Sequence, residues 1–82
     1  MSKLQQYQIE ELKAFDKDDN AIVEYVLHLT LNEKIDLLSI VLIKQGTQGS
    51  PEEIQAMARL DIVSNPNGFA TRFYERELSK YL

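Results

Sequence analysis

The chain has 82 residues, of which 13 are acidic and 9 are basic, with one histidine, no cysteine and a formal net charge of −4 at pH 7. This length predicts a single domain over residues 1–82, and 44% hydrophobic with 27% charged residues is ordinary globular composition. Without cysteine the chain forms neither disulfides nor a thiolate site, so a reducing, cytoplasmic location is the expectation. The first residues lack the apolar stretch of a signal peptide, and the longest apolar run, residues 40–43, is too short to span a membrane.

The first predicted element is a helix over residues 3–15. Leu4, Leu12 and Phe15 fall on one side of it, which is the spacing of an amphipathic helix. A polar break at residues 16–20 separates it from the next segment.

Residues 19–31 fit two patterns. Alternate positions are apolar as in a strand, yet Asn20, Glu24 and His28 recur every fourth residue as on a helix. A lone strand needs pairing partners, and the other segments of the chain are better explained as helices. The helix is therefore favoured, and a short β excursion is the alternative.

Two helix starts are marked by capping boxes. Residues 30–33 (Thr-Leu-Asn-Glu) and 50–53 (Ser-Pro-Glu-Glu) each place a hydroxyl three residues before a glutamate, so that each side chain can bond the other's backbone N–H. They predict helices near residues 31–45 and 51–61. Gly46 then offers the left-handed residue that commonly ends a helix.

Residues 69–82 are predicted as one terminal helix. Its apolar residues recur at three- and four-residue spacing, while three cations recur every fourth residue along another side. The whole pattern predicts an all-α fold, a small compact bundle of four to five short helices. Within it, residues 40–43 are apolar on every side of a turn, which indicates either a central core helix or a helix covered by a second chain.

Catalytic and cofactor motifs are missing, so we expect no enzyme activity, no cofactor and no metal. The single histidine, His28, is the only imidazole for a nucleophilic dyad or a zinc site, and the three glycines form no phosphate-binding loop. The acidic spacing at residues 16–20 resembles the start of a calcium loop. It fails at the sixth position, which is Ala21, and at the twelfth, which is Leu27.

The predicted partner-binding surface lies on the terminal helix. Aromatic and arginine side chains are enriched at binding hot spots, and this end of the chain holds both: Phe69, Arg72, Phe73, Arg76 and Lys80. The alternative is that the aromatics are core and the cations are solvated near a helix C-terminus. Glu77 falls among the apolar positions of this helix, where burying a lone carboxylate is costly, so it either has a partner or marks the edge of the apolar side. Asp61 likewise falls among the apolar positions of the preceding helix, and for it we expect a frayed helix end or a turn.

These observations lead to a functional expectation with two alternatives. We expect a small acidic regulator or inhibitor that binds another protein and occludes its surface. The first alternative is a helix-turn-helix DNA binder with the terminal helix as recognition helix, disfavoured by the net charge and by a long connection at residues 60–68. The second is a structural or assembly subunit, in which the chain forms homo-oligomers. Glu24 and His28, four residues apart, could also pair as a pH sensor, although a solvated polar surface is the plainer interpretation.

Overall fold

The computed structural model describes residues 4–16 and 18–82. Within them the chain forms five α-helices and a C-terminal 3₁₀ helix: α1 (Gln6–Ala14), α2 (Asp19–Leu27), α3 (Leu31–Lys44), α4 (Pro51–Ser64), α5 (Gly68–Glu75) and the 3₁₀ helix Leu78–Tyr81. No strand occurs in these two ranges. The predicted all-α bundle of four to five short helices is confirmed.

Both predicted capping boxes are formed. The Thr30 hydroxyl accepts from the Glu33 N–H at 3.1 Å while the Glu33 carboxylate accepts from the Thr30 N–H at 2.8 Å. Ser50 and Glu53 make the same pair of bonds at 3.2 and 3.1 Å. Helices α3 and α4 begin at these caps, and Gly46 ends α3 with φ of +85°. The α4 helix continues three residues beyond the predicted end.

The ambiguous segment is a helix. The Asp18 carboxylate accepts from the Ala21 N–H at 3.2 Å and caps α2. Ile22 and Val26, four residues apart, are buried, whereas Leu27 and Leu31 are exposed. The four-residue polar period therefore indicated the structure correctly, and the alternating apolar pattern did not.

Helix α3 supplies the centre of the core. It packs most extensively against α4, and it also contacts the 3₁₀ helix, while α2 packs against α5. Leu37 and Val41 are fully buried, and Ile40 and Leu42 lie partly buried beside the same core. Within the apolar run 40–43, Ile43 is exposed. The core interpretation of this run therefore accounts for three of its four residues without a second chain.

Polar contacts attach α1 to the start of α3. The Leu4 N–H donates to the Asp36 carboxylate at 3.1 Å, and the Gln8 side-chain amide donates to the Glu33 carboxylate at 2.7 Å. Because the Glu33 carboxylate accepts from the Thr30 backbone N–H and from Gln8, its pKa lies below the ordinary value. One side chain thus caps α3 and holds α1.

The predicted single helix over residues 69–82 is wrong, because the chain breaks after α5. Glu77 adopts a left-handed conformation with φ of +52°, and the 3₁₀ helix follows. Leu78 stands seven residues after the exposed Thr71, so a continuous helix would turn both toward solvent. The break instead buries Leu78 in the core. Glu77 itself is exposed, which removes the question of a carboxylate within an apolar face.

The break at Glu77 generates a prediction. A non-glycine residue in the left-handed region costs about 1–2 kcal/mol, so Glu77→Gly should raise the free energy of unfolding by about 1 kcal/mol, measured by urea denaturation. The matched control is Glu75→Gly, which removes the same charge but lies in α5 and should lower that free energy by up to about 1 kcal/mol. Equal losses in both variants would contradict the strain at Glu77.

Candidate protein-binding surfaces

The two phenylalanines of the predicted partner-binding set lie in the core. Phe69 is 1% exposed and Phe73 is 0% exposed, and their rings pack edge to face with centroids 5.9 Å apart. They fix α5 against α2 and the rest of the core. Neither ring can touch a partner while the bundle is folded.

Arg72 forms an ion pair within the chain. Its Nη1 lies 2.9 Å from the Asp61 carboxylate, and this ion pair links α5 to α4. The other two guanidinium nitrogens, Nε and Nη2, are buried without a hydrogen-bond partner among the described residues. Asp61 lies in the last turn of α4, which is helical and not frayed, and its carboxylate is paired, so the expectation of a frayed end or a turn is wrong. A carboxylate can stand in line with the buried side of α4 at this position because Arg72 of α5 pairs with it.

Arg76 and Lys80 are the two members of the predicted set that are exposed. Arg76 follows the last residue of α5, whereas Lys80 lies in the 3₁₀ helix with its ammonium 5.4 Å from the centre of the Tyr81 ring. Arg76 still follows Arg72 by one helical turn, but because the chain breaks at Glu77, Lys80 does not continue that row. The predicted set is therefore divided between core, ion pair and surface.

A groove of about 560 Å³ lies beside this C-terminal region, between the end of α1 and the 3₁₀ helix. Lys13 and Lys80 line it together with three carboxylates, those of Asp16, Glu75 and Glu77. Opposite charges are mixed along the whole groove. It shows no preference for an anionic or a cationic ligand.

The polar side of α2 faces solvent, which agrees with the plainer interpretation of the sequence, and the alternative Glu24–His28 side-chain pair is not formed. Asn20, Glu24 and His28 are exposed, and the His28 Nδ1 donates to the Glu24 backbone carbonyl at 2.8 Å. Nearby, burial and the adjacent Glu11 carboxylate raise the pKa of Tyr25 to about 12.

Residues 4–16 and 18–82 contain no cluster of three or more His, Asp or Glu side chains placed to hold a metal ion. Every helix in these ranges is too short or too polar to traverse a bilayer.

The surface that the sequence interpretation missed lies on α4. Ile54, Ala58 and Ile62 form the buried side of this helix. On the opposite side three apolar residues face solvent, which we call the outer face: Ala56, Leu60 and Val63. Leu60 is 72% exposed and Val63 55%, while Met57, on the flank between the two sides, is 44% exposed.

Polar side chains border the outer face along one edge. Glu52, Gln55 and Arg59 line a shallow depression together with Ala56, Leu60 and Val63. The sequence did contain the signal. Residues 56, 60 and 63 form a second row at four- and three-residue spacing beside the row 54, 58 and 62. Sorting the apolar residues of this helix by side would have revealed both rows.

The different roles of Arg72, which is paired with Asp61, and Arg76, which is exposed, can be tested by substitution. Arg72→Ala should lower the free energy of unfolding by about 1–2 kcal/mol, because it removes a partly buried stem and leaves Asp61 unpaired; the ion pair itself adds less than about 1 kcal/mol, since both groups are partly exposed. Arg76→Ala, the matched control, should change it by less than about 0.5 kcal/mol. Urea denaturation of both variants gives the comparison, and equal effects would contradict the structural role of Arg72.

No family model, no curated protein and no solved structure matches the chain. The evidence on function therefore lies in the chemistry of the surfaces themselves.

Proposed function

We propose that the chain is a small acidic regulator or inhibitor that acts without catalysis by binding another protein through the outer face of α4. The observation that supports this is the row of exposed apolar side chains on a helix whose other side is already in the core. Burying an exposed Leu or Val side chain contributes about 1.5–3 kcal/mol. An uninterrupted apolar row exposed to water is typical of an interaction surface.

The shape of the outer face favours a helical partner surface. Helix α4 has 14 residues and is therefore about 21 Å long. Apolar residues at positions i, i+4 and i+7 form the ridge with which helices pack against one another or enter a groove. A partner helix lying along α4 would cover Ala56, Leu60 and Val63 together.

The charges along the edge define the partner further. On this edge Glu52 stands in the first turn of α4, whereas Arg59 lies near the middle of the helix. A complementary partner carries a cation toward the start of α4 and an anion toward its middle. Such charges set the orientation and the encounter rate more than they set the affinity.

This proposal can be tested by site-specific photo-crosslinking in the native host. A photo-reactive residue at Gln55, which borders the outer face, should form a covalent adduct with a protein, and Leu60→Glu in the same chain should abolish it. The same residue at Thr71, exposed on α5, is the control and should give no such adduct. No adduct from position 55, or equal adducts from both positions, would refute the proposal.

One observation favours DNA binding as a second candidate. The α4 and α5 helices are joined by only three residues, 65–67, which is the length of a helix-turn-helix connection. The Asn65 side chain accepts from the Gly68 N–H at 3.1 Å and lies so close to this glycine that a Cβ there would collide with it. The expectation of a long connection at residues 60–68 is thus wrong.

The surface of α5 argues against this candidate. Thr71 and Glu75 face solvent along it, and its one arginine, Arg72, is paired with Asp61. A carboxylate at the exposed side repels phosphate, and the net charge of −4 adds to that repulsion.

Heparin chromatography separates the two candidates. The protein-binding proposal predicts that the purified chain flows through heparin and random duplex DNA columns at low salt. Retention that falls steeply with added salt would support DNA binding instead.

A further inference from the structure

We infer that Glu77 is a hinge between two conformations of the C-terminal segment, residues 78–82. In the bent form, which is the one described above, the segment turns back onto the bundle as a 3₁₀ helix. In the straight form, helix α5 continues through the segment to residue 82. This inference goes beyond the proposed function and is independent of it, because the outer face of α4 takes no part in either form. Backbone strain at the hinge, the sequence of the segment and the position of Leu78 support it.

The bent form holds the hinge residue in an unfavourable backbone conformation. Glu77 has φ of +52° and ψ of +41°, in the left-handed region that favours glycine. The Glu77 N–H donates to the Tyr74 carbonyl at 3.0 Å, and the Lys80 N–H donates to the Glu77 carbonyl at 3.2 Å. Both bonds span three residues, the 3₁₀ pattern, whose geometry is poorer than that of α-helical bonds. Straightening the chain relieves the strain and lets bonds of the α-helical type form in place of these two.

The sequence of the segment suits an α-helix. Residues 76–82 contain no glycine, no proline and no β-branched residue, and most of them are good helix formers. In the straight form Glu77 stands three residues before Lys80, which offsets the repulsion between Lys80 and Arg76 one turn away. The local sequence therefore favours a continuous helix, and what opposes it is the contact of the segment with the core.

Contacts with the core hold the segment in the bent form. Leu78 is 7% exposed, and Tyr81 and Leu82 pack partly buried against the same core. A continuous helix would place Leu78 at the angular position of the exposed Thr71 and so return its side chain to water. The free energy of burying one leucine is of the same order as the strain of a left-handed residue. The two forms therefore differ little in free energy, and the straight form is a populated minor state.

Straightening changes the surface of the protein around the segment. The 3₁₀ helix contacts α5, α3 and α1, so its departure uncovers the site that Leu78 fills. It also removes one wall of the groove of about 560 Å³ beside the end of α1. Lys80 leaves that groove and stands one helical turn beyond Arg76. The hinge thus couples the opening of an apolar site to the alignment of two cations, and a ligand that contacts either feature shifts the population toward the straight form.

Backbone NMR on the full chain tests the hinge. Leu78→Gln removes the apolar contact that favours the bent form and keeps a good helix former, so it should raise the ratio of straight to bent molecules by about tenfold or more. The Cα chemical shifts of residues 76–81 and the amide-to-α-proton coupling of Glu77 should then move to α-helical values, and far-UV circular dichroism should show added helix. Leu29→Gln is the matched control, because Leu29 is 8% exposed and lies between α2 and α3. It should leave the shifts of residues 76–81 at their wild-type values.

Relaxation dispersion on the wild-type chain gives a second test that needs no destabilising substitution. Residues 76–82 should exchange on the microsecond-to-millisecond timescale with a minor state whose Cα shifts are α-helical. Glu77→Gly should suppress this exchange, because glycine is unstrained in the bent form and a poor helix former in the straight one. Glu75→Gly, the matched control, should not suppress it, because residue 75 is helical in both forms.

Three results would overturn the hinge. The first is a Leu78→Gln variant that keeps the wild-type shifts at residues 76–81. The second is the same variant with random-coil shifts there, since the segment would then have detached without extending α5. The third is a wild-type chain in which residues 76–82 show no exchange with a helical minor state.

Discussion

With 82 residues the chain can build one core, in which one central helix is surrounded and the others bury only one side. This constraint explains the main features of the structure. Helix α3 is surrounded because it lies at the centre, and the helix breaks at Glu77 because a longer α5 would have turned Leu78 away from the core. It also explains α4, whose second apolar row is exposed because the single core is already covered on its other side.

Features set by neighbours in sequence were predictable, whereas those set by distant residues were not. The capping boxes at Thr30 and Ser50 and the left-handed Gly46 depend on residues within one turn, and their motifs predicted them correctly. The break at Glu77 depends on where the core lies relative to Leu78, and Glu77 is not the glycine that usually marks such an end. Asp61 was misjudged for the same reason, because its partner Arg72 lies 11 residues away on another helix.

The candidate site was mispredicted for the same reason, because burial depends on residues that are distant in sequence. Aromatic and arginine residues near the C-terminus have the composition of a hot spot, but composition does not distinguish a ring that is exposed from one that is buried. Phe69 and Phe73 lie in the core, and the exposed apolar row was found on the preceding helix instead. On α4 the apolar residues of the buried and the exposed side are interleaved along the sequence. The total apolar content therefore does not show that there are two rows, and only the structure shows which row is buried. Of the predicted set, Arg76 and Lys80 are exposed, beside the carboxylates of Glu75 and Glu77.

The double role of Glu33 has a consequence for how the bundle opens. Its carboxylate caps α3 and also receives the Gln8 amide from α1, and its lowered pKa means that this stabilisation is present above the ordinary carboxyl pKa and is lost as acid protonates it below that value. Protonation of one group therefore weakens two attachments at once. We therefore expect acid to loosen α1 and the first turn of α3 together, so that amide hydrogens in both segments exchange with solvent ahead of those in the centre of α3.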